Sequence, residues 1–202
     1  MKERILVWDL PVRFFHWSLA LSFTIAYLSS ESERWQLIHI TGGYVLAALI
    51  VFRLIWGFVG SRYARFAEFV RGPAAIRDYL LGMLRLRPPH YTGHNPAGAL
   101  AVLALLFLGL LTAASGWVTF NEIGRDLVEE LHEGLANTML ALVALHVAAV
   151  LLSSTVHREN LVGAMVHGCK QGSAHLAIGR AYWGVALAVL ALIGGTIFLA
   201  VR

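Results

Sequence analysis

The chain has 202 residues, of which 58% are hydrophobic and only 14% charged, with a mean hydropathy of +0.67; soluble domains carry roughly 25% charge. This excludes a soluble domain and points to a chain embedded in a bilayer. One cysteine, Cys169, leaves neither a disulfide framework nor a thiolate metal cage, and the net charge of +4 belongs to membrane-flanking loops and does not indicate nucleic-acid binding.

Apolar runs at about 14–29, 38–59, 97–120, 134–153 and 181–201 each approach the ~20 residues that a helix needs to cross a membrane. The first follows MKERILVWDLPVR and occupies the place of a secretory signal. His16 and Trp17 inside it, and the lack of a small-residue cleavage site, mark it as a retained helix. Pro11 suits a first helical turn, and Trp8 and Trp17 suit the interfacial belt. The second run opens near LIHITGGYVL and closes in FRLIWGF.

A long connection, 60–96, follows. Its segment RGPAAIRDYLLGMLRLRPP predicts a short amphipathic helix on the membrane surface, ended by Pro88 and Pro89, with a solvated basic loop as the alternative. The third run starts at GHNPAGAL, where Asn95 suits a cap and Pro96 the first helical position. The last run carries small-residue pairs, Gly184 with Ala188 and Ala191 with Gly195, suited to close helix packing. A homo-oligomer is left open. The expected organisation is an all-α membrane bundle of four helices over 1–177 plus an additional C-terminal helix over 178–202.

Charge placement orients the chain. The 60–96 loop holds Arg62, Arg65, Arg71, Arg77, Arg85 and Arg87 against Glu68 and Asp78, whereas 121–133 holds Arg125 against Glu122, Asp126, Glu129, Glu130 and Glu133. The basic loop is expected in the cytoplasm and the acidic one outside. Lys2, Arg4 and Arg13 at the start, with Arg158, Lys170 and Arg180 before the last run, place the N-terminus inside and the C-terminus outside.

Four of the nine histidines fall within or at the edges of the spans. Polar ionisable groups in hydrocarbon are expensive and mark function by default. His132 and His146 are fourteen residues apart in LHEGLANTMLALVALH, which returns the second ring to within about 40° of the first, roughly 21 Å along the axis. By the assigned topology His16 and His146 form an inner pair, and His39 and His132, at the start of span four, an outer pair. Two pairs at different depths are what two bis-imidazole haems require.

Each ligand's other ring nitrogen wants an acceptor, for which nearby carbonyls or Glu133 are candidates. Ala136, Met139 and Val143 share the histidine face of span four, and Gly42 and Gly43 lie one turn from His39, where a missing side chain lets a porphyrin approach. Arg53 is fourteen residues after His39. It is a candidate partner for a propionate of the inner haem, or else an end-of-span arginine reaching the interface. A lone membrane histidine reads more readily as an interhelical hydrogen-bonding group. A zinc or copper centre is disfavoured because only two nitrogens lie at each depth, and a proton relay because the mid-span regions hold no carboxylate. His94, His157 and Arg158 are candidates for contact with a quinone headgroup at the inner interface. His90, His167 and His175 read as surface residues.

The stretches VWDLPVRFFHW, HITGGYVLAALIVFRLIWGFVGSRYARF, GHNPAGAL, LHEGLAN, ALHVAAVLL and HRENLVGAMVHG cover most of residues 7–168. In this order they resemble the bacterial di-haem cytochrome b-561 family and its relatives, the cytochrome b subunits of nickel-iron hydrogenases. The resemblance implies a multi-pass protein of the bacterial inner membrane that binds two b haems through His16, His39, His132 and His146. It implies electron exchange between the quinone pool and a periplasmic c-type cytochrome or another redox subunit. It leaves open a superoxide oxidase that reduces quinone, and a haem-containing anchor of a hydrogenase-like complex. The acidic 121–133 surface suits a basic partner.

Overall fold

The computed structural model describes residues 3–202 apart from the side chain of Arg125. Lys2, counted above among the orienting residues, lies outside the described residues. The chain folds as a helical bundle. A short strand, β1 (Glu3–Leu6), leads into α1 (Leu10–Leu28), and then come α2 (Gln36–Val59), the single turn α3 (Phe66–Phe69) and α4 (Pro73–Leu84). α5 (Pro96–Phe120) and α6 (Arg125–His157) form the second long hairpin, followed by α7 (Leu161–His167), β2 (Cys169–Gly172) and α8 (Trp183–Ala200).

Local chemistry sets the helix starts. Asp9 caps α1 by accepting from Val12 N at 2.7 Å, and its second oxygen accepts from Trp56 Nε1 at 3.1 Å, so one buried carboxylate ties the start of α1 to the end of α2. Asn95 caps α5 by accepting from Gly98 N at 2.7 Å, with Pro96 in the first turn, as its sequence predicts. Asn160 does the same for α7 through Gly163 N. The helix expected in the 60–96 loop is α4.

α1 packs along α2, α5 along α6, and α2 also along α5 and α8; among the described residues no comparably close packing joins α1 to α6. The core between the two hairpins holds Phe15, Phe23, Leu46, Leu49, Ile50 and Met139. Outward residues are equally apolar: Phe58 is 73% exposed and Leu145 65%, the pattern of surfaces solvated by lipid. Four helices are long and apolar enough to cross a membrane: Glu33–Val59, Pro96–Phe120, Asp126–His157 and Trp183–Ala200. α1, which carries Arg13 and His16, is less apolar.

Two expectations are corrected. The fourth long helix begins at Arg125, so His132 sits two turns inside α6 and does not start it. Its acidic first turns, with Asp126, Glu129 and Glu130, continue the apolar part of the helix without a break. The small residues of the last helix face away from the bundle: Gly184 and Gly195 have no neighbour within 4 Å of an added Cβ, and α8 packs through Ala186 and Val189. A small sheet also occurs, β1 pairing antiparallel with β2 from Glu3 opposite Gly172 to Leu6 opposite Cys169. It fastens the N-terminal segment beneath the bundle, with Ile178 N donating to Leu6 O at 2.9 Å.

Candidate functional site

The outer pair is built where the ends of α1, α2, α5 and α6 meet. His39 projects from the second turn of α2, and its Nδ1 donates to the carbonyl of Ala26 on α1 at 2.8 Å. His132 projects from α6, and its Nδ1 donates to the carbonyl of Thr112 on α5 at 3.0 Å. Ser115 Oγ also lies 3.0 Å from that nitrogen. A carbonyl oxygen only accepts, so both rings carry their proton on Nδ1 and keep the Nε2 lone pair free, the tautomer of a metal-ligating histidine whose far nitrogen is held by an acceptor. The ring centroids are 6.0 Å apart with planes at 87°. Two metal–imidazole bonds of about 2 Å with a ring radius of roughly 1 Å on each side span about 6 Å, so the gap fits one iron. Glu133 is exposed and takes no part in this anchoring.

Gly116 on α5, which sequence reasoning missed, makes room for the outer site. A Cβ there would lie 2.8 Å from His132 Cε1 and 3.2 Å from its Nδ1. The two glycines of α2 differ from each other. At Gly42 a Cβ would meet Ala26 Cβ at 3.1 Å and the Ser22 carbonyl at 3.2 Å, so its missing side chain serves the close approach of α1; Gly43 has no neighbour within 4 Å. Across the pair's margin, Tyr27 Oη on α1 donates to Asn137 Oδ1 on α6 at 2.7 Å.

At the other level His16 stands edge-on to Trp17, with centroids 4.9 Å apart, and its Nδ1 is buried without a partner. His146 is half-buried on α6, on the face shared with Met139 and Val143. Arg53 is only 2% exposed, and its guanidinium lies over the rings of Phe66 at 5.0 Å and Phe69 at 6.0 Å. One of its terminal nitrogens, Nη1, is buried with no hydrogen-bond partner, and it forms no ion pair among the described residues. Thus the end-of-span reading of Arg53 as a solvated interfacial residue does not describe it.

His94 is no surface residue either. Its ring packs 4.7 Å from Trp8 and 4.4 Å from Phe69, and its Nδ1 is buried and unpartnered. Burial first, then the nearby charges of Arg53, Lys170, His146 and His16, lower its pKa to about 3, so the imidazole is neutral at any physiological pH. These effects also place Arg53, His94, His16 and His146 in one neighbourhood.

The three residues considered for quinone contact are not gathered together. His157 belongs to a second cluster, stacked on Tyr79 at 6.3 Å, with its Nε2 3.3 Å from Tyr79 Oη and its ring 5.8 Å from His90. Glu159 and Lys170, 3.0 Å apart, close that cluster. Arg158 ends α6 in the left-handed conformation, φ 53°, with its side chain exposed. Between His90 and His94 opens a cleft of about 180 Å³, also lined by Arg71, Tyr91 and Phe69.

No cluster of three or more His, Cys, Asp or Glu suited to a metal ion occurs among the described residues. The donors come in pairs, which suits iron already held by a porphyrin and does not suit a protein-only metal cage.

Comparison with known proteins agrees with this chemistry. The family model described as prokaryotic cytochrome b561 matches residues 7–168. A probable Ni/Fe-hydrogenase B-type cytochrome subunit of Azotobacter vinelandii is 26% identical, over 81% of this chain and 87% of that one. Its counterpart in Rhizobium leguminosarum bv. viciae is 23% identical, over 83% and 89%, and that of Rhodobacter capsulatus 25%, over 83% and 81%. No solved structure is a significant match. With a match over most of its length and apolar helices able to span a bilayer, the chain belongs to the prokaryotic cytochrome b561 family, membrane proteins of electron transfer that carry haem b.

Proposed function

We propose that the chain is a di-haem b-type cytochrome that passes electrons across the membrane between the quinone pool and a redox partner on the acidic side, such as a periplasmic c-type cytochrome. In this reading His39 with His132, and His16 with His146, are axial ligands at two levels, and haem b supplies reversible one-electron chemistry when bound. The chain supplies ligation, tautomer control and the surrounding dielectric. The observation that supports this reading most is the outer pair: two histidines from opposing hairpins, each with Nδ1 engaged by a carbonyl, 6.0 Å apart.

The proposed topology has five crossings, with α1 as the first, the 60–96 loop inside and residues 121–133 outside. α8 is an addition to the four-helix core. Glu122, Asp126, Glu129 and Glu130 are exposed around the first turns of α6. This helix has 33 residues, about 50 Å, against a hydrocarbon thickness of ~30 Å, so its acidic end rises out of the bilayer above His132 and suits a lysine-rich partner. Quinone exchange is assigned to the inner interface, where the Tyr79–His157 cluster lies.

A second reading, the haem-bearing anchor of a larger complex, is favoured by the printed names of the relatives, which are hydrogenase cytochrome subunits. A superoxide oxidase is less well supported, because an acidic entrance repels an anionic substrate. A reduced-minus-oxidised spectrum with a pyridine haemochrome count tests the central claim. Two b haems per purified chain are expected, and a colourless, folded chain made with ample haem refutes it. Co-purification with stoichiometric companions would select the anchor reading.

A further inference from the structure

We propose that Arg53 and His94 together seat one propionate carboxylate of the inner haem, which makes the loop before α5 a positioning element of that cofactor site; this rests on the di-haem reading above. Two orphaned polar atoms carry the inference. Arg53 Nη1 and His94 Nδ1 are both buried without a hydrogen-bond partner, and an unsatisfied buried donor is costly unless something completes it. Both side chains pack on the same ring: Phe69 lies 6.0 Å from the Arg53 guanidinium carbon and 4.4 Å from the His94 ring centroid. Trp8 packs against His94 as well.

The missing partner is an acceptor, and beside a guanidinium a carboxylate suits that role best. Arg53 carries a full charge at 2% exposure, and such a charge needs a counter-charge. Asp9 is a buried carboxylate whose charge acts on Arg53, but its two oxygens accept from Val12 N and Trp56 Nε1 and leave Arg53 Nη1 without an acceptor. Glu159 pairs through Oε2 with Lys170 at 3.0 Å, in the cluster around His157. A carboxylate brought by a ligand would complete Nη1, and the electrostatic neighbourhood of His94 includes both His16 and His146. A propionate of a cofactor ligated by that pair satisfies both donors at once, the guanidinium by charge and the neutral imidazole by a hydrogen bond. The same residues explain why His94, drawn into this site, shares no ring contact or hydrogen bond with His157 among the described residues.

The test uses the full-length chain purified in detergent, with haem content and the two midpoint potentials read by spectroelectrochemical titration. The inner wave is the one that His146→Ala removes. Loss of a positive charge near iron disfavours the reduced state, so Arg53→Gln is expected to shift the inner wave downward and leave the outer one in place. His94→Leu is expected to shift the same wave, in the same direction and by less. His94→Asn, whose amide nitrogen stands where Nδ1 stood, is expected to restore it. Should His94→Leu not accumulate, His94→Asn against His94→Gln carries the test, because only Asn replaces the Nδ1 donor; equal behaviour of the two overturns the proposal. Unmoved potentials in His94→Leu, with weakened displacement by a quinone-site inhibitor, also overturn it and assign His94 to quinone. A wild-type chain that binds no haem refutes the di-haem reading itself, whereas two haems with insensitive potentials refute only this assignment.

Discussion

The outer and inner histidine pairs are built by different means. At the outer pair both Nδ1 atoms donate to main-chain carbonyls, of Ala26 and Thr112, so each imidazole's tautomer and direction are fixed by neighbouring helices before any cofactor arrives. No arginine contacts that level among the described ring and ion-pair contacts. At the inner level His16 Nδ1 has no partner, while a buried arginine and a neutral histidine stand ready with unused donors. One pair is preorganised by main-chain carbonyls; the other would, on the reading proposed above, be organised around the charge of what it binds. On the proposed di-haem reading, the Arg53 charge at one level and no arginine contact at the other would give the inner haem the higher reduction potential.

Ligand removal is the harshest way to break this comparison. His39→Ala and His132→Ala should each lower the haem count from two per chain to one, with the same spectroscopic wave lost in both. His146→Ala and His16→Ala should remove the other wave. Loss of different waves in His39→Ala and His132→Ala would overturn the pairing by depth. Next in size is Gly116→Ala. An added Cβ would stand 2.8 Å from His132 Cε1, closer than van der Waals contact allows, so the ring must turn and lose its hold on the Thr112 carbonyl. A shifted outer potential with partial loss of that haem is expected, and the inner wave should stay unmoved; an unchanged outer wave would show that the carbonyl contact does not orient the ring.

How much of this was legible in the sequence follows the range of the signal. The helix period made the His132–His146 face visible, and caps such as Asn95 with Pro96 are local, so both could be read directly. The start of α6 was hidden because Asp126, Glu129 and Glu130 suppress the hydropathy of a segment that is nonetheless helical. The β1–β2 pairing joins residues 3–6 to 169–172, a contact with no local signature. Gly116 lies in an α5 already rich in small residues, so nothing marked it until the His132 ring was placed beside it. His94 looked like part of a cap motif, GHNP, and only the tertiary packing of Trp8 and Phe69 shows its burial. The small residues of α8 misled for a related reason: spacing defines a face, but contacts decide which face is used.

The adjacent glycines of α2 separate helix packing from cofactor space. Gly42→Ala is expected to destabilise the bundle by about 1–3 kcal/mol, the usual cost of overpacking, because Ala26 Cβ and the Ser22 carbonyl stand at 3.1 and 3.2 Å from the added carbon. Gly43→Ala has no neighbour within 4 Å and should leave the melting temperature of haem-free protein unchanged or slightly raised, since alanine favours helix. If Gly43 borders the porphyrin, the same substitution lowers outer haem retention. Equal effects of both substitutions on haem-free protein would mean that Gly42 does not carry the α1–α2 contact.

Ser115→Ala should have the smallest effect. The hydroxyl donates to the Thr112 carbonyl at 3.0 Å and lies 3.0 Å from His132 Nδ1, so it supports the ring from beside a carbonyl that remains. Removing it takes away one modest hydrogen bond, about 1 kcal/mol, and leaves the Nδ1–H directed at Thr112 O. Two haems per chain and a small shift of the outer potential are expected. Loss of the outer haem in this variant would make the hydroxyl the principal orienter of His132. The outer level would then depend on a side chain, as the inner level does, and the contrast between a backbone-held pair and a charge-held pair would fail.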